Sequence, residues 1–521
     1  MTARARCRLA ALGAFAACVW QSSRPACSPC FIEAVRLPPG PGGGTHAELY
    51  WPPLSRIGLP AVVVAHGYLA NLSFLEIPWA ADLTHLGAAA LFVDRRGHGR
   101  SGGGLFPPTA AAEGKPQEPE LAAAVQYLRS RAPAIDPDRI AILGHSDGGT
   151  AALSAASADW EIASTVAISA SVAPWDAVNH VAPQNLLLVY GENDSFILHD
   201  TDRVLIGSAT RGYLDGAGQV GALADGSARQ LLRIPNRGHV GVIHSSRARR
   251  SVLDWLRRAL RMPGRVEPSP LRHGWVAGGA VAVLAFLALS GRTARDGAPI
   301  EVPRVRWGVM AALLAVWVAG LAAAPWVARL LPMAPAQEGQ VVLGVLLSGI
   351  VPLIGGILVL AMVRRWLATR RCSSLPGVAA ALRSALRAAG PAALWAAGAC
   401  AALTLLLCHL YRIAPFSAPR LVLFAGFSLA ALPLFVLLEI WVSTLGRAAG
   451  TFALVVLAGT TAAAAPYLFE RMAVLPAYAI AASIVALAAY HTGAGGAHAA
   501  APAVFGAMVT GWTTSTVCAL Y

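Results

Sequence analysis

Gly144-His145-Ser146-Asp147-Gly148-Gly149 closes the apolar run Ile140-Ala141-Ile142-Leu143 and opens the small-residue stretch Thr150 to Ala158. The pattern predicts a buried strand, a tight turn with a serine at its apex, and a helix. Glycines on both sides of Ser146 permit the strained turn that lifts a hydroxyl above a sheet. The helix N-terminus behind it favours developing negative charge. In a chain with 51 glycines the bare pattern carries little weight, so the flanking strand and helix decide the reading.

A serine hydroxyl at neutral pH is a weak nucleophile and needs a histidine base, which in turn needs an oriented carboxylate. Downstream, Asn185 to Tyr190 reads as a strand running into Gly191-Glu192-Asn193-Asp194, which places Asp194 at its C-terminal tip. A second strand, Gln230 to Ile234, leads to Asn236-Arg237-Gly238-His239, and a helix is predicted over Ser245 to Leu260. Upstream, Ala61 to Ala65 is a buried strand ending in His66-Gly67-Tyr68. The backbone N–H of Tyr68 is placed to join that of Asp147 as an oxyanion hole. Between these, Ala88 to Asp94 ends in Arg95-Arg96-Gly97-His98-Gly99-Arg100-Ser101.

Residues 60 to 260 resemble the α/β-hydrolase superfamily, because the H-G-Y, D-x-R-G-H-G-x-S, G-H-S-x-G-G, G-x-x-D and G-H segments all fall in order. The resemblance implies a doubly wound, mostly parallel sheet and a serine-nucleophile hydrolase with the order Ser146, Asp194, His239. Esterases, lipases, thioesterases, peptidases and dehalogenases share that fold, so it leaves the substrate open. Competing residues read differently. Asp200, Asp202, Asp215 and Asp225 do not close a strand and read as solvated loop. His66, His98 and His145 read as loop-ordering residues, His244 as the one rival base, and Glu192 as a surface carboxylate.

From Trp275 onward the composition changes. Apolar runs of membrane-crossing length recur near 275–290, 307–331, 341–363, 391–411, 421–445, 450–469, 472–490 and 499–520. The expected organisation is a signal peptide or signal anchor (1–30), an α/β-hydrolase domain (31–264) and an all-α polytopic transmembrane domain of about eight spans (265–521). A composition of 56% hydrophobic and 13% charged residues matches such a chain. The net charge of +14 comes almost wholly from arginine, Lys115 being the only lysine. Arg364, Arg365, Arg370, Arg371, Arg383 and Arg387 lie between predicted spans without an intervening acid. That is the bias of cytoplasmic loops rather than of a nucleic-acid surface. With 291–306 and 364–390 inside, alternation puts the hydrolase domain outside the cytoplasm of a multi-pass membrane protein.

The N-terminus agrees. Arg4, Arg6 and Arg8 precede an apolar stretch from Leu9 to Trp20. Phe15 to Cys18 approaches a lipidation box, and an uncleaved anchor is the alternative. Cys27 and Cys30 read as a small disulfide in an oxidising compartment. The remaining cysteines, Cys372, Cys400, Cys408 and Cys518, lack metal-ligand spacing. Glu439, within a predicted span, and His409 are the candidate intramembrane polar pair. The connection after Ser171 is too short for a cap domain, and the segments 102–119 and 195–229 are candidate pocket walls. No cofactor or metal is expected. The expected partners are a small-molecule or lipid-like substrate and membrane lipids, with no nucleic acid. A transporter, a sensor or a scaffold with an accessory or non-catalytic hydrolase fold is the alternative.

Overall fold

In a computed structural model of the chain, the described residues are 3–23, 31–40, 43–53, 57–68, 70–96, 98–101, 119–170, 182–194, 219–269 and 273–290, with scattered helical positions between 397 and 509. They divide into two compact units. One runs from Ser23 to His273. The other comprises the residues before Ser23 and those from Gly274 onward, apart from a few positions.

The first unit is built on a single sheet of eight strands. These are β1 (Phe31–Gly40), β2 (Gly43–Trp51), β3 (Leu59–Ala65), β4 (Ala89–Val93), β5 (Ile135–His145), β6 (Ser164–Ile168), β7 (Leu186–Gly191) and β8 (Arg229–Ile234). Their order across the sheet is β1-β2-β4-β3-β5-β6-β7-β8. Every pairing from β4 to β8 is parallel, while β1–β2 and β2–β4 are antiparallel. The sheet is thus mostly parallel, as expected. The β1–β2 hairpin has no counterpart in the sequence reading, which named no strand before Ala61. Its residues mix polar and apolar types, and β1 contains two prolines, so the continuous apolar signal of the central strands is missing there.

Central strands read as unbroken apolar runs because both faces of a parallel sheet are covered. Period-2 alternation then divides them. Val62, Val64, Ala90, Phe92, Leu143, Val166 and Val189 join one core with Leu75 and Trp79 of α2 (Leu72–His85) and with Trp255 and Leu256 of α5 (Ser246–Ala259). Ala61, Val63, Leu91, Val93, Ile140 and Ile142 join the other. Their partners there are Leu121, Val125 and Leu128 of α3 (Pro119–Arg129) and Ala151, Ala152 and Ala156 of α4 (Asp147–Ala158). Each fully buried Leu, Val or Phe contributes about 1.5–3 kcal/mol. A one-residue slip of any strand would exchange the two cores.

Helix α4 begins at Asp147, three residues before the predicted start. Helix α5 is capped by the Ser245 hydroxyl, which accepts from the Ala248 N–H. It carries an ion pair into the core. Arg249, with its side chain 3% exposed, meets the fully buried Asp82 of α2 at 2.6 Å. The second Asp82 oxygen accepts from the Ser269 N–H at 2.7 Å. Burial pushes the Asp82 carboxyl up, and Arg249 and the Ser269 contact work against that rise.

In the second unit, α1 (Ala3–Ser23) and α6 (His273–Ser290) meet. The Arg8 guanidinium donates to the Leu289 carbonyl at 2.8 and 3.0 Å. Phe15 and Leu284 pack on a cluster that includes Val283, Cys400, Ala486, Phe505 and Val509. The helix α1 spans the stretch expected as a signal segment, and α6 covers the expected first span. Among the described residues no helix is long and apolar enough to cross a membrane. The later spans, Glu439 with His409, Cys27 with Cys30, and Cys372, Cys408 and Cys518 lie outside the described residues or at isolated positions among them.

Arg249→Met strands the Asp82 carboxylate in the core and should cost about 3–5 kcal/mol. The double variant Asp82→Leu/Arg249→Met should recover much of that loss. Denaturant unfolding of the three variants reads both outcomes. A single variant as stable as wild type would show that the pair does not hold α2 to α5.

Candidate active site

Ser146 sits between β5 and α4 at φ 56 and ψ −125, a conformation that costs a non-glycine residue roughly 1–3 kcal/mol. Three backbone hydrogen bonds hold it there. Its N–H donates to the Ile168 carbonyl of β6 at 2.8 Å, and its own carbonyl accepts from Gly149 and Thr150 at 2.9 and 3.0 Å. The turn closes only because Gly144 and Gly148 lack side chains. A Cβ on Gly144 would overlap the Gly148 carbonyl, and one on Gly148 would overlap the carbonyls of Ala65 and His66. That second approach sets the His66-Gly67-Tyr68 turn against the serine.

The expected acid and base, Asp194 and His239, arrive from the ends of β7 and β8. Asp194 is 1% exposed, and its N–H closes a turn onto the Gly191 carbonyl at 3.1 Å. Gly191 must be glycine because the Arg237 backbone packs onto it, bringing the base-bearing loop beside the acid. His239 Nδ1 lies 3.0 and 3.2 Å from the two Asp194 oxygens, and its Nε2 lies 2.8 Å from Ser146 Oγ. The carboxylate can only accept, so Nδ1–H donates to Asp194 and Nε2 is left to accept the serine proton. The three predicted residues are therefore in one hydrogen-bonded line. His244 stands instead against the Phe74 ring at 6.2 Å.

The other histidines order loops. His66 Nδ1–H donates to the Gly67 carbonyl at 2.7 Å, and its Nε2 accepts from the Arg95 N–H at 3.0 Å. His98 Nδ1–H donates to the Arg96 carbonyl at 2.8 Å. His145 Nε2–H donates to the His239 carbonyl at 2.9 Å and its ring lies 4.9 Å from the His239 ring. It thus ties the serine's turn to the base's loop. Desolvation keeps all three neutral: His66 well below the ordinary value, His98 at about 4 and His145 at about 3.

Asp94 caps the neighbouring loops. Its oxygens accept from the Leu72 and Arg100 N–H groups at 2.8 and 2.9 Å. Burial pushes its carboxyl up and those two hydrogen bonds pull it down. Two arrangements escaped the sequence reading. Glu192 is exposed, as expected of a surface carboxylate, and it also accepts from the Asn236 N–H at 3.0 Å, which shapes the loop that carries His239. Arg95 hydrogen-bonds the Asp147 carboxylate. The partial desolvation of this half-exposed side chain would raise the carboxyl, but the Arg95 charge and hydrogen bond hold it below the usual range. A Gly-x-x-Asp spacing signals an acid; nothing in it signals which loop amide the preceding glutamate meets. Of the rival acids, Asp225 accepts from the Ser227 N–H at 2.9 Å within an exposed turn. Asp200, Asp202 and Asp215 lie outside the described residues, as do most of the candidate walls 102–119 and 195–229.

Residues 60–257 match the family model described as alpha/beta hydrolase fold. This segment is an α/β-hydrolase fold domain. Over 101 residues the chain is 37% identical to the thiohydrolase aneE of Aspergillus aculeatus, a stretch that is 19% of this chain and 30% of that relative. The chain therefore spans about a third of the relative's length. Among solved structures, an esterase of Pyrococcus furiosus is 17% identical, with 44% of this chain and 91% of that one covered at a TM-score of 0.35. A predicted CIB-like hydrolase from Thermoplasma acidophilum is also 17% identical, covering 44% and 99% at a TM-score of 0.32.

The three neutral histidines give the domain an acid limit. Unfolding lets each bind a proton near its ordinary value of 6.5 that the folded chain refuses until far lower pH. Their contribution is complete above that value and is lost as pH falls through it. Burial raises the carboxyls of Asp82 and Asp94, and these work the other way as the pH falls. Stability should drop by roughly 5 kcal/mol between pH 7 and pH 5. Thermal unfolding across that interval measures it, and a flat profile would mean that the rings are not buried neutral.

Proposed function

We propose that the chain is a membrane-anchored serine hydrolase that cleaves an ester, thioester or amide through Ser146, His239 and Asp194. The observation that carries the reading is the 2.8 Å approach of Ser146 Oγ to a His239 ring whose other nitrogen is held by a buried carboxylate. Ser146 Oγ attacks the substrate carbonyl carbon while its proton passes to His239 Nε2. The ring then carries a positive charge beside the Asp194 carboxylate. The carbonyl oxygen takes up the electron pair and is met by the N–H groups of Tyr68 and Asp147.

Collapse of the tetrahedral species breaks the bond to the leaving group, which takes the proton from His239. Water, deprotonated by the same ring, releases the acid and restores Ser146. The thiohydrolase name of the fungal relative supports keeping thioesters within the substrate class. Membrane anchoring rests on the apolar runs after Trp275 and on the arginines between them. In this reading the hydrolase domain lies outside the cytoplasm and takes a small or lipid-like substrate.

A fluorophosphonate probe on membranes should label the wild-type chain and leave Ser146→Ala unlabelled, because the hydroxyl forms the covalent bond. His239→Ala should lower turnover by several orders of magnitude. Asp194→Asn should cost about 10⁴-fold by favouring the wrong ring tautomer. Labelling that survives in Ser146→Ala would sink the assignment. For topology, a reporter after residue 264 should read outside and one after residue 375 inside, and the opposite pair of readings would invert the orientation.

A further inference from the structure

We infer that Arg95 is a positioning residue of the oxyanion site, which keeps the Asp147 carboxylate from opposing the negative charge that catalysis creates there. The inference rests on the proposed use of the Asp147 N–H as an oxyanion donor.

Asp147 has two properties that pull in opposite directions. As the first residue of α4 it places a carboxylate at a helix N-terminus, where negative charge stabilises the helix. As the residue after the nucleophile, it carries that charge on the same residue whose N–H faces the developing oxyanion. Bond lengths alone keep the carboxylate within about 5 Å of its own N–H. At that range, with an effective dielectric constant of about 20, an uncompensated carboxylate would slow oxyanion formation by roughly a hundredfold.

Arg95 meets this charge directly. Its side chain is only 10% exposed, whereas that of Asp147 is 49% exposed, so the cation approaches from the protein side. The Arg95 guanidinium hydrogen-bonds Asp147 Oδ2. The backbone of Arg95 is fixed in turn, its N–H donating to His66 Nε2 at 3.0 Å while the same ring holds the Gly67 carbonyl at 2.7 Å. Gly67 immediately precedes Tyr68, the other proposed donor. One imidazole therefore positions both the turn that carries the second donor and the cation that offsets the first donor's side chain. The charge state of Asp147 makes the offset necessary, since its carboxyl stays ionised at neutral pH.

The test is a four-member cycle in the full chain, with wild type, Arg95→Met, Asp147→Asn and the double variant, plus Arg95→Lys. Turnover of a small activated ester and the rate of fluorophosphonate labelling are both read, and thermal unfolding checks that each variant folds. Arg95→Met should lower kcat by about thirtyfold, equivalent to about 2 kcal/mol, with KM changed less than about threefold. The double variant should return to within about threefold of Asp147→Asn alone, because the charge that needed offsetting is gone. Arg95→Lys should keep most of the activity. A merely structural cross-link predicts instead that the losses are not rescued in the double variant, and that outcome overturns the inference while leaving Ser146 labelling intact. A wild-type chain that is not labelled at Ser146 overturns the hydrolase reading and the inference together.

Discussion

A serine held at φ 56 and ψ −125 is a costly piece of backbone, and much of the site exists to sustain it. The parallel pairing of β5 with β6 supplies the Ile168 carbonyl for its N–H, and the first turn of α4 uses its carbonyl twice. Side-chain-free residues at Gly144 and Gly148 let the chain reverse against the end of β3. A strand, a helix and a neighbouring turn must therefore all form before the Ser146 hydroxyl can stand at the C-terminal edge of the sheet. There the ends of β7 and β8 deliver Asp194 and His239 to it. Loosening any of these supports would relieve the strain and withdraw the Ser146 hydroxyl from the His239 ring.

Around that turn, five histidines share a small volume with very different electrical duties. Three are kept neutral by burial and spend their N–H groups on backbone carbonyls of Gly67, Arg96 and His239. Only His239 is given a buried carboxylate on one side and a hydroxyl on the other. Neutrality of His145 matters to the proposed mechanism, in which a second cation 4.9 Å from His239 would oppose the charge that His239 takes up during attack. Arg95 enters the same neighbourhood as a permanent cation, and its charge is met by Asp147. The site combines neutral rings, which serve geometry, with a compensated ion pair.

The fold and the membrane reading rest on different physics. Two apolar cores on opposite faces of one sheet hold the hydrolase domain together, with Trp79 and Trp255 the largest side chains of one and Trp51 the largest of the other. The proposed membrane half depends on the hydrophobicity of its runs and on where arginine is tolerated, both properties of sequence alone. A basic net charge of +14 is consistent with that distribution and needs no nucleic-acid partner.

Sequence by itself determined the parallel strands from β3 to β8 and the helices α4 and α5, though not α2 or α3, because both-face burial writes a parallel strand as a continuous apolar run. It also singled out Ser146, Asp194 and His239, which the structure joins by hydrogen bonds, since a tight strand-to-helix turn and the tips of strands have glycine-rich signatures. It was silent on the antiparallel strands β1 and β2, whose residues mix polar and apolar types instead of forming such a run. It was silent as well on Glu192 with Asn236, on Asp82 with Arg249, and on Arg95 with Asp147. The two ion pairs join residues 167 and 52 positions apart, and a charged side chain announces nothing in its own sequence neighbourhood about the partner that will meet it. Only closure of the sheet brings such residues together, and only then does the buried environment decide which charges are kept and which rings stay neutral.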